Sequence, residues 1–249
     1  MILYEEMLRK EVGDDLCFFD TIDSTNTYAK KLNHWQHGQL IVAKEQTAGR
    51  GTFGKSFISK ANRGIFMTVV IDEVKWPFKF SHLNTHLIAL LVRNAIKKIT
   101  NLSTHIKWIN DLFYDYKKVA GVLVERDVLT NKLVIGIGIN ISKAKDHFDG
   151  DLHTKATYLP LGENDEELAA KLVIDLYQEI LRPPLYLSEF DLLTLYKEHM
   201  FLMGKTITLK QKTIEKTGKV IDVDDVGRLV LNVDGVNETF VAGEVTILL

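Results

Sequence analysis

The feature that most constrains this chain is a change of pattern at Gly204. Before it, β-branched runs are interleaved with long stretches of helical periodicity. After it come only short strand-like runs, Ile207-Thr208-Leu209, Thr217 to Ile221, Arg228 to Leu231 and Val245 to Leu248, punctuated by Asp225-Val226-Gly227 and Asp234-Gly235 turns. A chain of 249 residues accommodates one large domain and a small appendage. The expectation is therefore an α+β protein of two parts, 1–203 with a mixed sheet and 204–249 as a small β-barrel. With no repeat and no low-complexity linker between them, the parts are expected to pack together.

Within the larger part, Leu16-Cys17-Phe18-Phe19, Leu40 to Ala43 and Gly64 to Ile71 read as buried strands, which makes Cys17 an inert buried thiol. Ser24 is an N-cap for a short helix, and that helix's free amides could hold a polar or anionic ligand. From Ser81, apolar residues at Leu83, Leu87, Leu90, Leu91 and Ile99 predict one long amphipathic helix, with Lys97 and Lys98 suiting its C-terminal dipole. Three further strands are expected at Ile106 to Ile109, Val119 to Val124 and Leu133 to Ile139, with Asn110-Asp111 as a turn; Leu133 to Ile141 is read as a sheet edge able to pair across a dimer. Asn164 with Glu167, and Ser188 with Asp191, predict capped helices. The first stops at Pro183-Pro184 and the second at Gly204.

Two clusters can carry chemistry. Glu45 to Lys55 places Gly49, Arg50, Gly51, Gly54 and Lys55 in one loop between strands, where glycines allow close backbone approach and Arg50 can clamp a carboxylate or phosphate. It matches neither a Walker loop nor a dinucleotide fingerprint. Alone, it reads equally well as a surface turn. The second cluster is Lys107-Trp108-Ile109-Asn110-Asp111 followed by Lys118 to Glu125, which sets cations beside a carboxylate where phosphoryl charge could be handled. Singly, each of these residues reads more readily as a solvated strand end or turn. Gly136-Ile137-Gly138-Ile139-Asn140 adds a strand that a ligand can approach closely.

Composition excludes several classes. Thirty-one basic and 33 acidic residues give a formal charge of -2, which offers no basic field for nucleic acid. One cysteine rules out an internal disulfide and fits a reducing cytoplasm. The start of the chain lacks a signal-peptide pattern and no apolar run is long enough to span a bilayer. His34 and His37 lack a third ligand and read as a surface turn.

The four segments Ser24-Thr25-Asn26, Gln46 to Gly51, Lys107 to Asp111 with Lys118 and Gly121 to Glu125, and Gly136 to Asn140 occur in the order found in biotin-protein ligases, which this chain closely resembles. Ala242-Gly243-Glu244-Val245 is similar to the closing strand of that family's C-terminal SH3-like module. The resemblance implies a catalytic domain of the biotin/lipoate ligase type over 1–203. It also implies a two-step reaction in which biotin and Mg-ATP give biotinyl-5′-AMP, and a lysine of a biotin carboxyl carrier domain of a carboxylase then takes the biotin. On this resemblance Ser24, Thr25, Asn26, Gln46, Gly49, Arg50, Gly51, Thr52, Lys118 and Gly121 would bind biotin. Arg50, Lys107, Asn110, Asp111, Lys118 and Asn140 would face ATP, which arrives with Mg2+ but with no residue assigned to the metal, and Arg50, Asp111 and Lys118 would be catalytic.

Some members carry an N-terminal winged helix-turn-helix. Only residues 1–23 precede Ser24, so a monofunctional enzyme is expected, as monomer or homodimer, without nucleic acid or membrane partners. Two departures stand out: Thr52 replaces an arginine that helps retain the adenylate, predicting weaker retention, and Ile109 stands where proline is common. Competing readings are a lipoate ligase or octanoyl transferase, whose characteristic loop or nucleophilic cysteine is missing here, and a non-catalytic biotin-binding regulator, against which Arg50, Asp111 and Lys118 argue.

Overall fold

A computed structural model describes residues 2–61, 63–142, 148, 152–161, 165–211 and 213–247. In chain order the elements are α1 (Ile2–Val12), β1 (Leu16–Ile22), α2 (Thr25–Lys31), β2 (Gln39–Gln46), β3 (Gly64–Asp72), α3 (Asn84–Thr100), β4 (His105–Lys107), β5 (Asp111–Tyr114), β6 (Lys117–Asp127) and β7 (Lys132–Ser142). There follow α4 (Leu152–Lys155), β8 (Leu159–Pro160), α5 (Asp165–Leu181), α6 (Glu189–His199), β9 (Thr206–Gln211), β10 (Ile214–Val223), β11 (Leu229–Val233), β12 (Val236–Phe240) and β13 (Glu244–Ile247).

The large sheet runs β1-β2-β3-β7-β6-β5-β4, with β8 beside β7, and is mixed: β1 pairs parallel to β2 and the strands from β2 to β4 pair antiparallel. Alternation along the strands divides its faces. Leu40, Val42, Met67, Val69, Leu133 and Ile135 point into the main core under α3 and α5, while Ile41, Val70 and Val134 meet Ala29 of α2 on the opposite face. That second face carries the candidate site.

The smaller part is a five-stranded antiparallel sheet ordered β12-β11-β10-β9-β13, the SH3-like module. Its Ile207, Leu209, Val220 and Leu229 belong to the same buried core as α3 and the large sheet. The Gly227 carbonyl also accepts hydrogen bonds from the Trp108 indole at 3.1 Å and the His86 ring at 3.0 Å.

Several expectations require correction. The strand at 106 ends at Lys107, because Trp108 turns its indole into the core toward Gly227; Asp111 then opens β5 instead of closing a turn. Strand β7 is no edge, since β3 and β6 flank it on both sides. Helix α6 ends at His199, and Gly204, at φ +76°, sits in the turn before β9. The Ser188–Asp191 capping box is present, whereas Asn164 lies outside the described residues. Cys17 is half-buried and accepts a hydrogen bond from Gln39 at 3.4 Å.

Candidate active site

The site is a pocket on the α2 face of the sheet. Its floor follows from register: Thr68 pairs with Gly136 and Gly136 with Leu123, while Phe66 pairs with Gly138, Gly138 with Gly121 and Gly121 with Asp111. Period-2 alternation therefore brings three glycines of two motifs, Gly121, Gly136 and Gly138, into two adjacent rows. A Cβ at Gly138 would meet the Phe57 ring at 2.6 Å, so glycine here lets that ring close down on the strand.

One wall is the start of α2. Ser24 caps the helix, accepting from the Thr27 amide at 3.3 Å, and among the described residues its own hydroxyl proton has no acceptor. The Thr25 amide and hydroxyl both donate to Gln46 Oε1, at 2.9 and 3.1 Å, and Gln46 Nε2 donates to the Ser59 hydroxyl at 2.8 Å. Asn26 Nδ2 donates to the Leu123 carbonyl at 3.3 Å and to Glu125 at 3.2 Å, and the Thr68 hydroxyl reaches Asn26 Oδ1 at 2.7 Å. The amides expected to be free for a ligand are thus engaged at Thr25 and Thr27, and much of this wall is an organised network rather than a row of open donors.

The glycine loop forms the opposite wall. It folds back on itself through Gly51 amide to Lys55 carbonyl at 2.7 Å and Phe57 amide to Gly49 carbonyl at 2.9 Å. A Cβ at Gly49 would lie 2.4 Å from the Phe57 carbonyl oxygen, which explains glycine at that crossing. Phe53, at φ 56°, stands exposed at the loop tip. Arg50 Nη1 donates to Glu125 at 3.0 Å, and Lys55 pairs with Glu244 of the C-terminal module at 2.5 Å. Lys118 pairs with Asp111 at 2.6 Å and lies 5.8 Å from the Phe57 ring centre.

Of the residues expected from sequence, Ser24, Thr25, Asn26, Gln46, Arg50, Gly51, Thr52, Asn110, Lys118 and Gly121 line this one pocket. Gly49, Lys107, Asp111 and Asn140 do not line it. Gly49 shapes the loop, and Asp111 stands behind Lys118. Lys107 lies 5.3 Å from the Phe113 ring centre; burial pulls its ammonium below the usual lysine range, the Lys118 charge adds to this, and Asp111 opposes it. Asn140 is buried, donating to the Thr157 carbonyl at 3.2 Å. Asn110 holds β6 through Nδ2 to the Val122 carbonyl at 2.8 Å.

Sequence reading missed Phe57, Thr68 and Glu125 as parts of the site. Glu125 accepts from Asn26, Arg50 and Lys30; burial pushes its carboxyl up, and those partners hold it below the usual range. Its signal was present in the alternation Gly121, Leu123, Glu125, which puts all three on the pocket face.

Comparison with known proteins shows what the chain as a whole is similar to. A profile of the Biotin/lipoate A/B protein ligase family matches residues 18–141, and one of the Biotin protein ligase C terminal domain matches 202–248. The bifunctional ligase/repressor BirA of Bacillus spizizenii is 30% identical over 250 residues, covering 94% of this chain and 75% of its own length. The biotin--[acetyl-CoA-carboxylase] ligase of Mycobacterium tuberculosis is 26% identical over 212 residues, covering 84% of this chain and 78% of the relative. The solved biotin protein ligase of Aquifex aeolicus in complex with biotin and ATP has the same fold, with a TM-score of 0.73 at 22% identity over 94% of this chain and 99% of that one. On matching sequence along most of its length, a shared fold and a shared C-terminal module, this chain belongs to the biotin/lipoate A/B protein ligase family, among the biotin protein ligases.

Proposed function

We propose that the pocket between α2 and the glycine loop binds biotin and Mg-ATP, and that the chain joins them before passing biotin to a lysine of a biotin carboxyl carrier domain. In the first step a biotin carboxylate oxygen attacks the α-phosphorus of ATP, forming the mixed anhydride biotinyl-5′-AMP as pyrophosphate leaves. Two anions must approach each other, so cations at the reacting end are the first requirement. The observation that carries the reading is that Arg50 and Lys118, distant in sequence, line the same pocket as Ser24, Thr25 and Asn26. They screen the repulsion and hold the charge that builds on phosphorus.

At the other end, Ser24 has a hydroxyl proton to give to the ureido carbonyl, while Thr25, Asn26 and Gln46 fix the wall around the ring. Gly51, Thr52 and Gly121 leave room for the chain and the anhydride. Asn110 meets the nucleotide, and Lys107 and Asn140 meet it where it extends past the pocket. Mg2+ enters with ATP as part of the substrate chelate.

In the second step a neutral lysine amine attacks the acyl carbon, the anhydride C–O bond breaks, AMP leaves, and the new ammonium loses a proton. Asp111, 2.6 Å from Lys118, is placed to orient that amine and accept the proton as Lys118 turns to the ligand phosphate. Dependence on ATP and a single cysteine support a cytoplasmic setting. Among the described residues no helix is long and apolar enough to cross a membrane. The test is ATP-dependent transfer of biotin to a purified carrier domain, with lipoate and octanoate as competing acids. Transfer of either acid in place of biotin would overturn the assignment.

A further inference from the structure

Glu125 lies behind the pocket wall instead of in it. Its carboxylate ties two elements to β6: Oε2 accepts from Asn26 of α2 at 3.2 Å and from Arg50 of the glycine loop at 3.0 Å, and Oε1 accepts from Lys30, also of α2, at 2.8 Å. Both Asn26 and Arg50 line the pocket, and Glu125 is the side chain that binds them together. Its effect on Asn26 is directional. With Nδ2 held by Glu125 and the Leu123 carbonyl, Oδ1 must face Thr68, so the amide has one orientation only. Its effect on Arg50 is similar. Among the described residues the side-chain hydrogen bonding of Arg50 runs through Nη1, which leaves the rest of the guanidinium fork for an anion. Lys30 and Arg50 together outweigh the one carboxylate, so the cluster keeps a net positive charge toward the ligand.

We propose that Glu125 is a positioning residue of this enzyme, fixing the Asn26 amide for biotin and the Arg50 guanidinium for the adenylate, an inference that rests on the function proposed above. The carboxylate touches no substrate. It acts by removing two freedoms, an amide flip and an arginine swing, that would otherwise have to be ordered on each binding event.

The experiment compares wild type, Glu125→Gln, Arg50→Ala and the double variant. Biotin affinity is measured by calorimetry without nucleotide, and release of biotinyl-adenylate, loaded preformed onto each variant, is followed in time. Glu125→Gln is expected to weaken biotin about tenfold and speed adenylate release about tenfold, the size of one charge-assisted hydrogen bond. In the Arg50→Ala background the same change should alter release by less than about twofold, because its target is gone. Values within twofold of wild type, or equal effects in both backgrounds, overturn the proposal; the latter is what a merely structural role gives. Should the glutamine variant fail to fold, Glu125→Asp keeps the charge but withdraws it, and is expected to shift both readouts about threefold; no shift overturns the proposal equally. A wild-type protein that neither binds biotin nor releases pyrophosphate sinks the function itself, and this proposal with it.

Discussion

Asn26 and Gly136 occupy one another's space: a single methyl group on Gly136 would lie 2.0 Å from Asn26 Oδ1. Helix α2 sits as deep as it does because the strand beneath offers no side chain there. The pocket's depth is thus set by an absence on β7 and an amide on α2.

Gly136→Ala is therefore expected to push Asn26 out of its network while leaving the strand intact, since alanine is tolerated in extended backbone. Biotin affinity should fall by at least about tenfold, with a stability loss of about 1–3 kcal/mol from overpacking. Calorimetry and a denaturant melt separate the two. An unchanged affinity would mean that Asn26 has no part in binding biotin.

Lys118 and Asp111 should divide the reaction between them. Lys118→Ala is expected to slow biotin-dependent pyrophosphate release about a hundredfold to a thousandfold, as loss of a transition-state cation does. Asp111→Asn should slow transfer to the carrier more than it slows adenylate formation. Single-turnover kinetics of each half-reaction, with the adenylate preformed for the second, resolves the two; equal slowing of both steps by Asp111→Asn would remove it as the group serving the amine.

Thr52 lines the pocket and carries no charge. Thr52→Arg is expected to slow release of biotinyl-adenylate about tenfold by adding a cation at the anhydride end. A trapping assay with pyrophosphatase measures it, and release as fast as wild type would show that position 52 does not contact the bound adenylate.

His86 links stability to pH. Burial pushes its pKa down to about 4, against a partial upward pull from the Gly227 carbonyl, with His82 lowering it and Asp224 raising it further. The unfolded chain binds this proton near the ordinary histidine value and the folded chain does not, so stability falls as pH drops from about 6.5 toward 4. The loss levels off below the folded value, at a few kcal/mol. Urea unfolding at pH 5 and pH 7 should show a difference that His86→Gln reduces by one proton's worth; an identical pH slope in the variant would assign the effect elsewhere.

Much of the architecture was legible because it depends on local pattern. The spacing from Leu83 to Ile99 marked α3, the Ser188–Asp191 pair marked the start of α6, and Ser24 marked the start of α2. What escaped depends on partners. Strand β12 buries only Phe240 among five residues, so it has no apolar alternation to read. Among the described side chains of helix α1, Tyr4 and Leu8 are buried and Met7 and Val12 pack partly buried beside them, too few for a clear helical stripe. Strand β7 was misplaced at an edge because periodicity tells which face a residue takes and not which strand lies beside it. The site shows the same division. Arg50, Lys118 and the Ser24 segment were found from their motifs, but Glu125 and Thr68 gain their importance from the pairing of β3, β6 and β7, which no local window contains.

The Lys55–Glu244 pair fastens the pocket's loop to the C-terminal module. Both side chains are more than half exposed, so the tie joins loop and module at their rims, is worth little by itself and loosens as salt rises.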